Sequence, residues 1–276
     1  MSFREETGVA ADAPRIDCGG TRLAVSREGK GPAVVCLHAV GHGGRDFDDF
    51  AAAIRDDFEV IRIDWPGQGR SDPDPVPADA ARYAELLGMV LERLEVRRPV
   101  ILGNSIGGAA AILHAARCDV RALVLCDSGG LLPSSQLLRG ITALFVRFFR
   151  AGERGASWFD RAFAFYYRAL VLPAAPAAEQ RARIIRAGRE VAPVLRAAWQ
   201  SFGRPESDLR VLAAGLDIPV WCAWAKGDKV VPLWLCRPAL RRLKRGRIDV
   251  FPGGHAPFLE APDAFVAGFR RFMAGL

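Results

Sequence analysis

The sequence predicts an α/β fold built on a mostly parallel central sheet. Six short apolar runs alternate with segments of helical length along the chain. The runs are continuously apolar rather than alternating, which is typical of strands that are covered on both faces. Their separation by helix-length segments favours parallel pairing, because a crossover helix returns the chain to the same direction. The predicted strands are 32–40, 58–66, 99–104, 121–129, 218–228 and 246–254.

Apolar residues at helical spacing predict the helices that cover this sheet. Phe47, Phe50 and Ile54 follow the first run, and a stripe from Tyr83 to Leu94 follows the second. Residues three and four positions apart share one face of a helix, so each set predicts an amphipathic helix packed on the sheet.

The alternation of strands and helices stops between residues 131 and 210. Leu137, Ile141, Leu144 and Phe148 recur there at helical spacing, and no convincing strand pattern occurs before the strands resume at 218. The sequence therefore predicts a helical insertion in a core of two parts. The predicted boundaries are 1–130 and 211–276 for the core and 131–210 for the insertion.

Composition indicates an enzyme-sized globular chain. Its 276 residues supply material for a large core, and no charge-free apolar run reaches the ~18 residues of a membrane-spanning helix. The stretch 1–17 lacks the apolar core of a signal peptide, so we expect a cytoplasmic protein. The six cysteines are scattered without a CxxC pair, which favours buried reduced thiols over disulfides or a metal site. We expect no metal ion and no cofactor.

The stretch ILGNSIGG, residues 101–108, sets Ser105 between a strand and a helix. A serine at such a junction lies on a sharp turn that crowds the residues two positions away on each side. Glycine at 103 and 107 meets that requirement. The turn would present the hydroxyl at the carboxyl edge of the sheet, beside the N–H groups of a helix N-terminus. The pattern predicts either a nucleophile or an ordinary turn serine.

A serine hydroxyl needs a base before it can attack, and the chain contains four histidines. His114 lies nine residues along the same predicted helix, roughly 13 Å from Ser105 at ~1.5 Å per residue, which is out of reach. His38 and His42 follow the first run, and His255 follows the last run in FPGGHAPFLEAP. We predict His255 as the base.

A histidine base needs a carboxylate that fixes its tautomer and stabilises the imidazolium. Asp228 lies in WAKGDKVVP, in a Gly-Asp turn that frees its side chain from a helix cap. Asp127 ends the preceding predicted strand and suits the ordering of its own turn. The sequence favours Asp228 and leaves Asp127 as the alternative acid.

Five motifs together resemble the α/β-hydrolase superfamily. LHAVGHGG, DWPGQGRSD, GNSIGG, WAKGDKVVP and GGHAPFLEAP have its order and spacing, and they span nearly the whole chain. The resemblance implies an α/β-hydrolase fold with a helical cap and a catalytic triad of Ser105, Asp228 and His255. Serine at 105 differs from the aspartate nucleophile of haloalkane dehalogenases and epoxide hydrolases.

The resemblance also implies an oxyanion hole. In the superfamily the loop after the third strand commonly reads His-Gly-x, and the x residue donates a backbone N–H; here it reads His38-Ala39-Val40. Val40 and Ile106 are the implied donors, and alanine in place of glycine departs from the pattern. We expect His38 to be structural. The candidate substrate contacts of the core are His42 and Asn104.

Finer resemblances point to two kinds of hydrolase. GNSIGG resembles the serine turn of meta-cleavage-product hydrolases, which cut carbon–carbon bonds. HAPFLEAP resembles the histidine loop of carboxylesterases, including pimeloyl-acyl-carrier methyl ester esterases. The carbon–carbon hydrolases usually carry tryptophan after the histidine, where Ala256 stands here. We therefore rank ester or thioester hydrolysis first, carbon–carbon hydrolysis second and a hydrolase-fold ligand receptor third.

The formal net charge of +7 lies in the predicted insertion. Residues 131–210 contain thirteen arginines, six acidic residues and no lysine, and the rest of the chain is balanced. Solvated helix faces explain this surplus, and so does a field that attracts an anionic ester, a coenzyme A thioester or an acyl carrier protein. Leu144 and Phe148 beside Arg147 and Arg150 also suit a membrane surface. Arg147 and Arg150 are candidate substrate contacts, no nucleic-acid partner is expected, and no oligomeric state is predicted.

Overall fold

The computed structural model describes residues 14–276 and contains one eight-stranded sheet. The strands are β1 Arg15–Asp17, β2 Arg22–Glu28, β3 Ala33–Leu37, β4 Glu59–Ile63, β5 Val100–Asn104, β6 Ala122–Cys126, β7 Val220–Ala225 and β8 Gly246–Phe251. Their order across the sheet is β1-β2-β4-β3-β5-β6-β7-β8. Strands β3 to β8 are parallel, whereas β1 and β2 pair in antiparallel fashion at one side. The chain thus has the mostly parallel α/β sheet that the sequence predicts.

Helices connect the strands. They are α1 Asp48–Ile54, α2 Ala80–Arg93, α3 Ile106–Ala115, α4 Gln136–Glu153, α5 Phe159–Tyr166, α6 Ala178–Arg186, α7 Gly188–Phe202, α8 Arg210–Gly215, α9 Leu233–Leu240, α10 Pro257–Glu260 and α11 Pro262–Met273. Helix α1 packs against α11, and α2 packs against α3. Right-handed crossovers place these two pairs on opposite faces of the sheet.

The six predicted strands all appear, each shorter than its apolar run. Every residue of β5, β6 and β7 is buried, which confirms that the continuous runs mark strands covered on both faces. The sequence pattern missed β1 and β2. Strand β1 has three residues, and β2 ends in the half-exposed polar sequence SRE, so neither forms a continuous apolar run.

The segment between β6 and β7 contains helices α4 to α8 and, as expected, no strand. Helices α4 and α7 pack along each other, whereas α8 contacts α3 and α9 of the core. The domain boundaries at 130/131 and 210/211 stay a prediction. Residues 1–13 of the first predicted part lie outside the described residues.

Two further expectations concern the whole chain. Within residues 14–276, no helix combines the length and apolar character needed to cross a membrane. Most of the 1–17 stretch, which lacks a signal-peptide pattern, lies outside the described residues. All six cysteines are free; five are buried as predicted, and Cys118 is exposed.

Candidate active site

Four loops meet at the carboxyl edge of the sheet. Ser105 follows β5, Asp127 follows β6, Asp228 follows β7 and His255 lies in the loop after β8. These strands are successive neighbours in the sheet, so residues far apart in sequence lie along one edge. In open α/β sheets this edge is where ligands bind.

Ser105 occupies a strained turn between β5 and α3. Its φ of 55° and ψ of −119° lie outside the regions that non-glycine residues usually adopt. Its N–H donates to the Cys126 carbonyl at 3.1 Å. A Cβ at Gly103 would overlap the Gly107 backbone, and one at Gly107 would overlap the Leu37 carbonyl. The two glycines are therefore required by the close approach of backbone segments, as the sequence analysis predicts.

His255 is held by Asp228. The His255 Nδ1–H donates to Asp228 Oδ2 at 2.9 Å, and both side chains are buried. Asp228 Oδ1 accepts the N–H groups of Val230 at 2.7 Å and Val231 at 3.0 Å. These bonds fix the carboxylate. The carboxylate in turn selects the tautomer of a neutral imidazole in which Nε2 keeps a lone pair.

Asp127, the alternative acid, lies beside this pair without bonding the imidazole. Its Oδ1 accepts the Ala225 N–H at 2.9 Å, and its buried Oδ2 has no hydrogen-bond partner among the described residues. Burial raises the pKa of Asp127 well above its usual range, and the Asp228 carboxylate raises that pKa further. A protonated Asp127 carboxyl can donate toward Asp228, so the two acids carry one negative charge between them.

The same three side chains are a group that a metal ion could bind. Ligand atoms of Asp127, Asp228 and His255 lie within 4.8 Å of one another. Asp228, however, already accepts two backbone N–H groups and the imidazole N–H. A cation would displace that imidazole bond, so the donor set fits proton transfer better than metal binding.

Asn104 connects the serine turn to the histidine loop. Its Nδ2 donates to the His255 carbonyl at 2.9 Å and to the Cys126 carbonyl at 3.0 Å. Both amide hydrogens of this predicted substrate contact are therefore used within the protein. Ser105 is 7% exposed, and its hydroxyl does not cap α3. The hydroxyl thus remains available to a reacting group.

The two predicted oxyanion donors head free backbone segments. The Ile106 N–H begins α3, where the first turn has no intrahelical acceptor. The Val40 N–H makes no backbone hydrogen bond within the described chain. The positive φ of this loop, 82°, falls on Gly41 rather than on Ala39, which explains why alanine is tolerated at 39. Gln68, which sequence reasoning missed within DWPGQGRSD, accepts the Gly41 N–H at 2.6 Å and fixes the turn.

His38 is a structural residue, as expected. Its Nδ1–H donates to the Ala39 carbonyl at 2.7 Å, and its Nε2 accepts the Trp65 N–H at 2.9 Å. Both ring nitrogens are therefore occupied. Burial lowers the pKa of His38 and of His114, which keeps both rings neutral.

His42 belongs to a second buried histidine–aspartate pair, next to the Val40 loop. Its Nδ1 bonds to Asp46 Oδ2, and Asp46 Oδ1 accepts from Arg183 of α6 at 3.2 Å. Burial raises the pKa of Asp46, but His42 and Arg183 more than offset this and lower it below its usual range. The His42 ring also lies 5.7 Å from the Tyr167 ring. His42 is thus fixed between core and insertion, and its contact with substrate stays a prediction.

The insertion closes over the histidine loop. The His255 N–H donates to the Val171 carbonyl at 2.7 Å. Glu260 accepts the N–H groups of Gly254 at 2.6 Å and Ala174 at 3.0 Å. Burial raises the pKa of Glu260, and these N–H bonds partly offset that rise. The sequence analysis missed Glu260, although it lies within HAPFLEAP.

Aromatic side chains of the insertion cover the site. Phe145 stacks on Trp199 with ring centroids 4.0 Å apart, and its ring lies 5.3 Å from that of Tyr166. Burial raises the pKa of Tyr166, and the nearby Asp228 charge adds to the rise. The aromatic cluster therefore reaches from α4 down to the buried acid.

Two other features lie apart from Ser105. Arg147 and Arg150 are exposed on α4, and the structure does not bring them into the buried site. A pocket of about 580 Å³, lined in part by Arg121 and Arg245, opens where the parallel strands begin, at the opposite edge of the sheet. It is separate from the residues described above.

The sequence was compared with protein families once this geometry was known. The model of the alpha/beta hydrolase family matches residues 34–268. The chain belongs to the α/β-hydrolase family. The buried histidine–aspartate pair and the strained serine turn of this α/β-hydrolase lie within the matched residues.

Individual relatives agree with this assignment. The chain is 32% identical to a pimeloyl-[acyl-carrier protein] methyl ester esterase of Methylococcus capsulatus, over 91% of this chain and 98% of that protein. It is 27% identical to an uncharacterized protein of Mycobacterium tuberculosis, over 92% of this chain and 79% of that protein. A thermophilic esterase from Thermogutta terrifontis has the same fold, with 21% identity, a TM-score of 0.79 and coverage of 95% of this chain and 99% of that chain.

Proposed function

We propose that this α/β-hydrolase cleaves a carboxylic ester or thioester through an acyl-enzyme on Ser105. The observation that carries the proposal is the 2.9 Å bond between His255 and Asp228, beside a serine turn that Asn104 ties to the histidine loop. The name of the Methylococcus capsulatus relative supports the ester class.

The first half of the reaction forms the acyl-enzyme. His255 Nε2 removes the Ser105 hydroxyl proton as Oγ attacks the carbonyl carbon. The oxyanion that develops accepts the N–H groups of Val40 and Ile106, which have no competing acceptor. The imidazolium, stabilised by Asp228, then gives its proton to the departing alcohol or thiol.

The second half releases the acid. A water molecule attacks the acyl carbon while His255 Nε2 takes one of its protons. The tetrahedral oxyanion occupies the same two N–H groups, and collapse returns the proton to Ser105 Oγ. The products are a carboxylic acid and the alcohol or thiol released earlier.

The insertion supplies the substrate preference in this proposal. Its aromatic cluster over Asp228 suits an acyl chain, and its arginine surplus suits an anionic ester, a coenzyme A thioester or an acyl carrier protein. Bidentate pairing of the guanidinium with carboxylate or phosphate explains why arginine serves this role.

One assay panel tests the proposal. Purified protein is given short p-nitrophenyl esters, an acyl thioester and a dienoic ring-cleavage product, and Ser105→Ala is measured beside the parent chain. We expect ester or thioester turnover that Ser105→Ala abolishes. Turnover of the dienoic compound alone would replace the proposal with carbon–carbon hydrolysis, and tight ligand binding without turnover would replace it with a receptor role.

A further inference from the structure

The outer face of the insertion exposes large apolar side chains. Helix α4 carries an apolar stripe that is wider than the part it buries against α7. Thr142 and Phe149 are buried in that stripe, while the adjoining row of α4 faces solvent. The exposed apolar residues of α4 and α5, here called the outer cap face, are Leu137 at 74%, Ile141 at 41%, Leu144 at 66%, Trp158 at 51% and Phe165 at 67%.

The two helices present one connected surface. Phe148, one turn along from Leu144 on α4, lies 6.0 Å from the Trp158 ring at the start of α5. Trp158 and Phe165 are seven residues apart and therefore share a face of α5. An isolated exposed leucine is ordinary, but a connected row containing tryptophan and phenylalanine needs a partner.

Unpaired positive charge surrounds this row. Six exposed arginines of α4, α5 and their flanking turns form no ion pair with any residue from 14 to 276: Arg139, Arg147, Arg150, Arg154, Arg161 and Arg168. The two acids of the same helices are already paired, Glu153 with Arg196 and Asp160 with Arg189. The field above the outer cap face is therefore positive.

We propose that the outer cap face docks on an anionic phospholipid surface. Arginine on the polar side and leucine, tryptophan and phenylalanine on the other are the composition of helices that lie in a membrane interface. A second copy of the chain fits poorly, because an isologous dimer would bring two sets of unpaired arginines together. An acidic protein would satisfy the arginines but would leave the exposed aliphatic row in water.

The same surface leads to the proposed reaction site, so this inference rests in part on the proposed function. The Phe148 ring lies 5.0 Å from Phe149 and 6.3 Å from Tyr166. Tyr166 in turn lies near Asp228. An apolar path thus runs from the exposed face of α4 to the buried acid, and an ester dissolved in the lipid could follow it without crossing water.

Vesicle flotation tests the docking directly. The parent chain is mixed at low salt with vesicles of phosphatidylcholine alone and of phosphatidylcholine with phosphatidylglycerol. We expect binding only to the anionic vesicles, lost at high salt. Leu144→Glu should reduce the partition coefficient about tenfold or more, and Arg147→Glu with Arg150→Glu about 25-fold or more, since each arginine contributes about fivefold.

A matched variant and an activity readout separate the explanations. Trp158→Ala should weaken vesicle binding, whereas Trp234→Ala should not, because Trp234 is 73% exposed on α9, which packs on β7 and α8. All these variants should hydrolyse a water-soluble p-nitrophenyl ester at the parental rate; loss of that activity in the parent chain would count against the proposed function alone. Equal binding to neutral vesicles, no vesicle binding, a dimer dispersed by Leu144→Glu, or binding only to an acidic carrier protein would each overturn the lipid proposal.

Discussion

The carboxyl edge of the sheet and the outer cap face hold their side chains in opposite ways. At the sheet edge, Ser105, Asp228 and His255 are each less than a tenth exposed, and every polar atom of Asp228 has a donor. On the outer cap face, aliphatic side chains and arginines lie in solvent without partners. The difference indicates a division of labour: the core fixes the chemistry, and the insertion determines what reaches it. Substitutions in the core should therefore change kcat, and those in the cap should change KM, salt response or localisation on a surface.

The largest effect is expected at the serine turn. Ser105→Ala and His255→Ala should each lower kcat by about 10³ or more, because the attack loses its nucleophile or its base. The double variant should cost little more than either single change, since the residues act as a unit. Steady-state kinetics on a p-nitrophenyl ester measures both points. Parental turnover in Ser105→Ala would remove the contrast between core and cap.

The two aspartates should differ sharply. Asp228→Asn should lower kcat by about 10³ or more, because the amide no longer stabilises the imidazolium or holds the required tautomer. Asp127→Asn should cost less than about tenfold, because the amide keeps an acceptor for the Ala225 N–H and offers an N–H in place of the acid proton. A larger loss in Asp127→Asn than in Asp228→Asn would move the catalytic acid to the end of β6.

Asp127 also predicts a pH effect on stability. Its pKa is raised in the folded state, so the folded chain retains a proton that the unfolded chain has lost above about pH 4. The free energy of unfolding should therefore fall as pH rises from about 5 to about 7. Asp127→Asn removes this titration and should flatten that fall in thermal melts. An unchanged slope would mean that Asp127 is ionised in the folded protein.

Two glycine substitutions compare the packing of core and cap. Gly107→Ala should lower the free energy of unfolding by about 2 kcal/mol or more, because its Cβ would overlap the Leu37 carbonyl. Gly140→Ala, in the exposed part of α4 with no atom near its Cβ, should raise it by about 0.5–1 kcal/mol. Urea unfolding of both variants measures the difference. A destabilised Gly140→Ala chain would show that the outer side of α4 is packed in solution.

The smallest expected effect is electrostatic steering by the cap. Raising salt from about 0.01 M to about 0.15 M shortens the screening length from about 30 Å to about 8 Å. We expect kcat/KM for an anionic ester to fall severalfold and that for a matched neutral ester to stay constant. Arg147→Glu with Arg150→Glu should abolish the difference. Equal salt responses in the parent chain would return the arginines to solvated helix faces.

The sequence predicted the core better than the cap for a physical reason. Continuous apolar runs report burial on both faces, so β3 to β8 could be recognised, and the glycines at 103 and 107 follow from sterics at one turn. The proposed triad could be located because parallel strands bring their carboxyl ends together. Position along the chain alone did not choose between Asp127 and Asp228; the bond to His255 does.

The cap shows where a periodic pattern stops being informative. Leu137, Ile141 and Leu144 correctly predicted a helix, yet they lie on its exposed side. Spacing reveals that residues share a face but not what that face touches. Asp46, Gln68 and Glu260 were missed for a related reason, because their buried partners are backbone groups or residues distant in sequence.

Covalent labelling of the resting protein tests the central claim most directly. A fluorophosphonate probe reacts with a serine only where a base activates the hydroxyl and an oxyanion site receives the phosphonyl oxygen. Peptide mapping after labelling should give one modified residue, Ser105, with labelling absent in Ser105→Ala and retained in the exposed control Ser157→Ala. A label on any other serine, or an unlabelled Ser105 in a folded protein, would contradict an acyl-enzyme at the turn between β5 and α3.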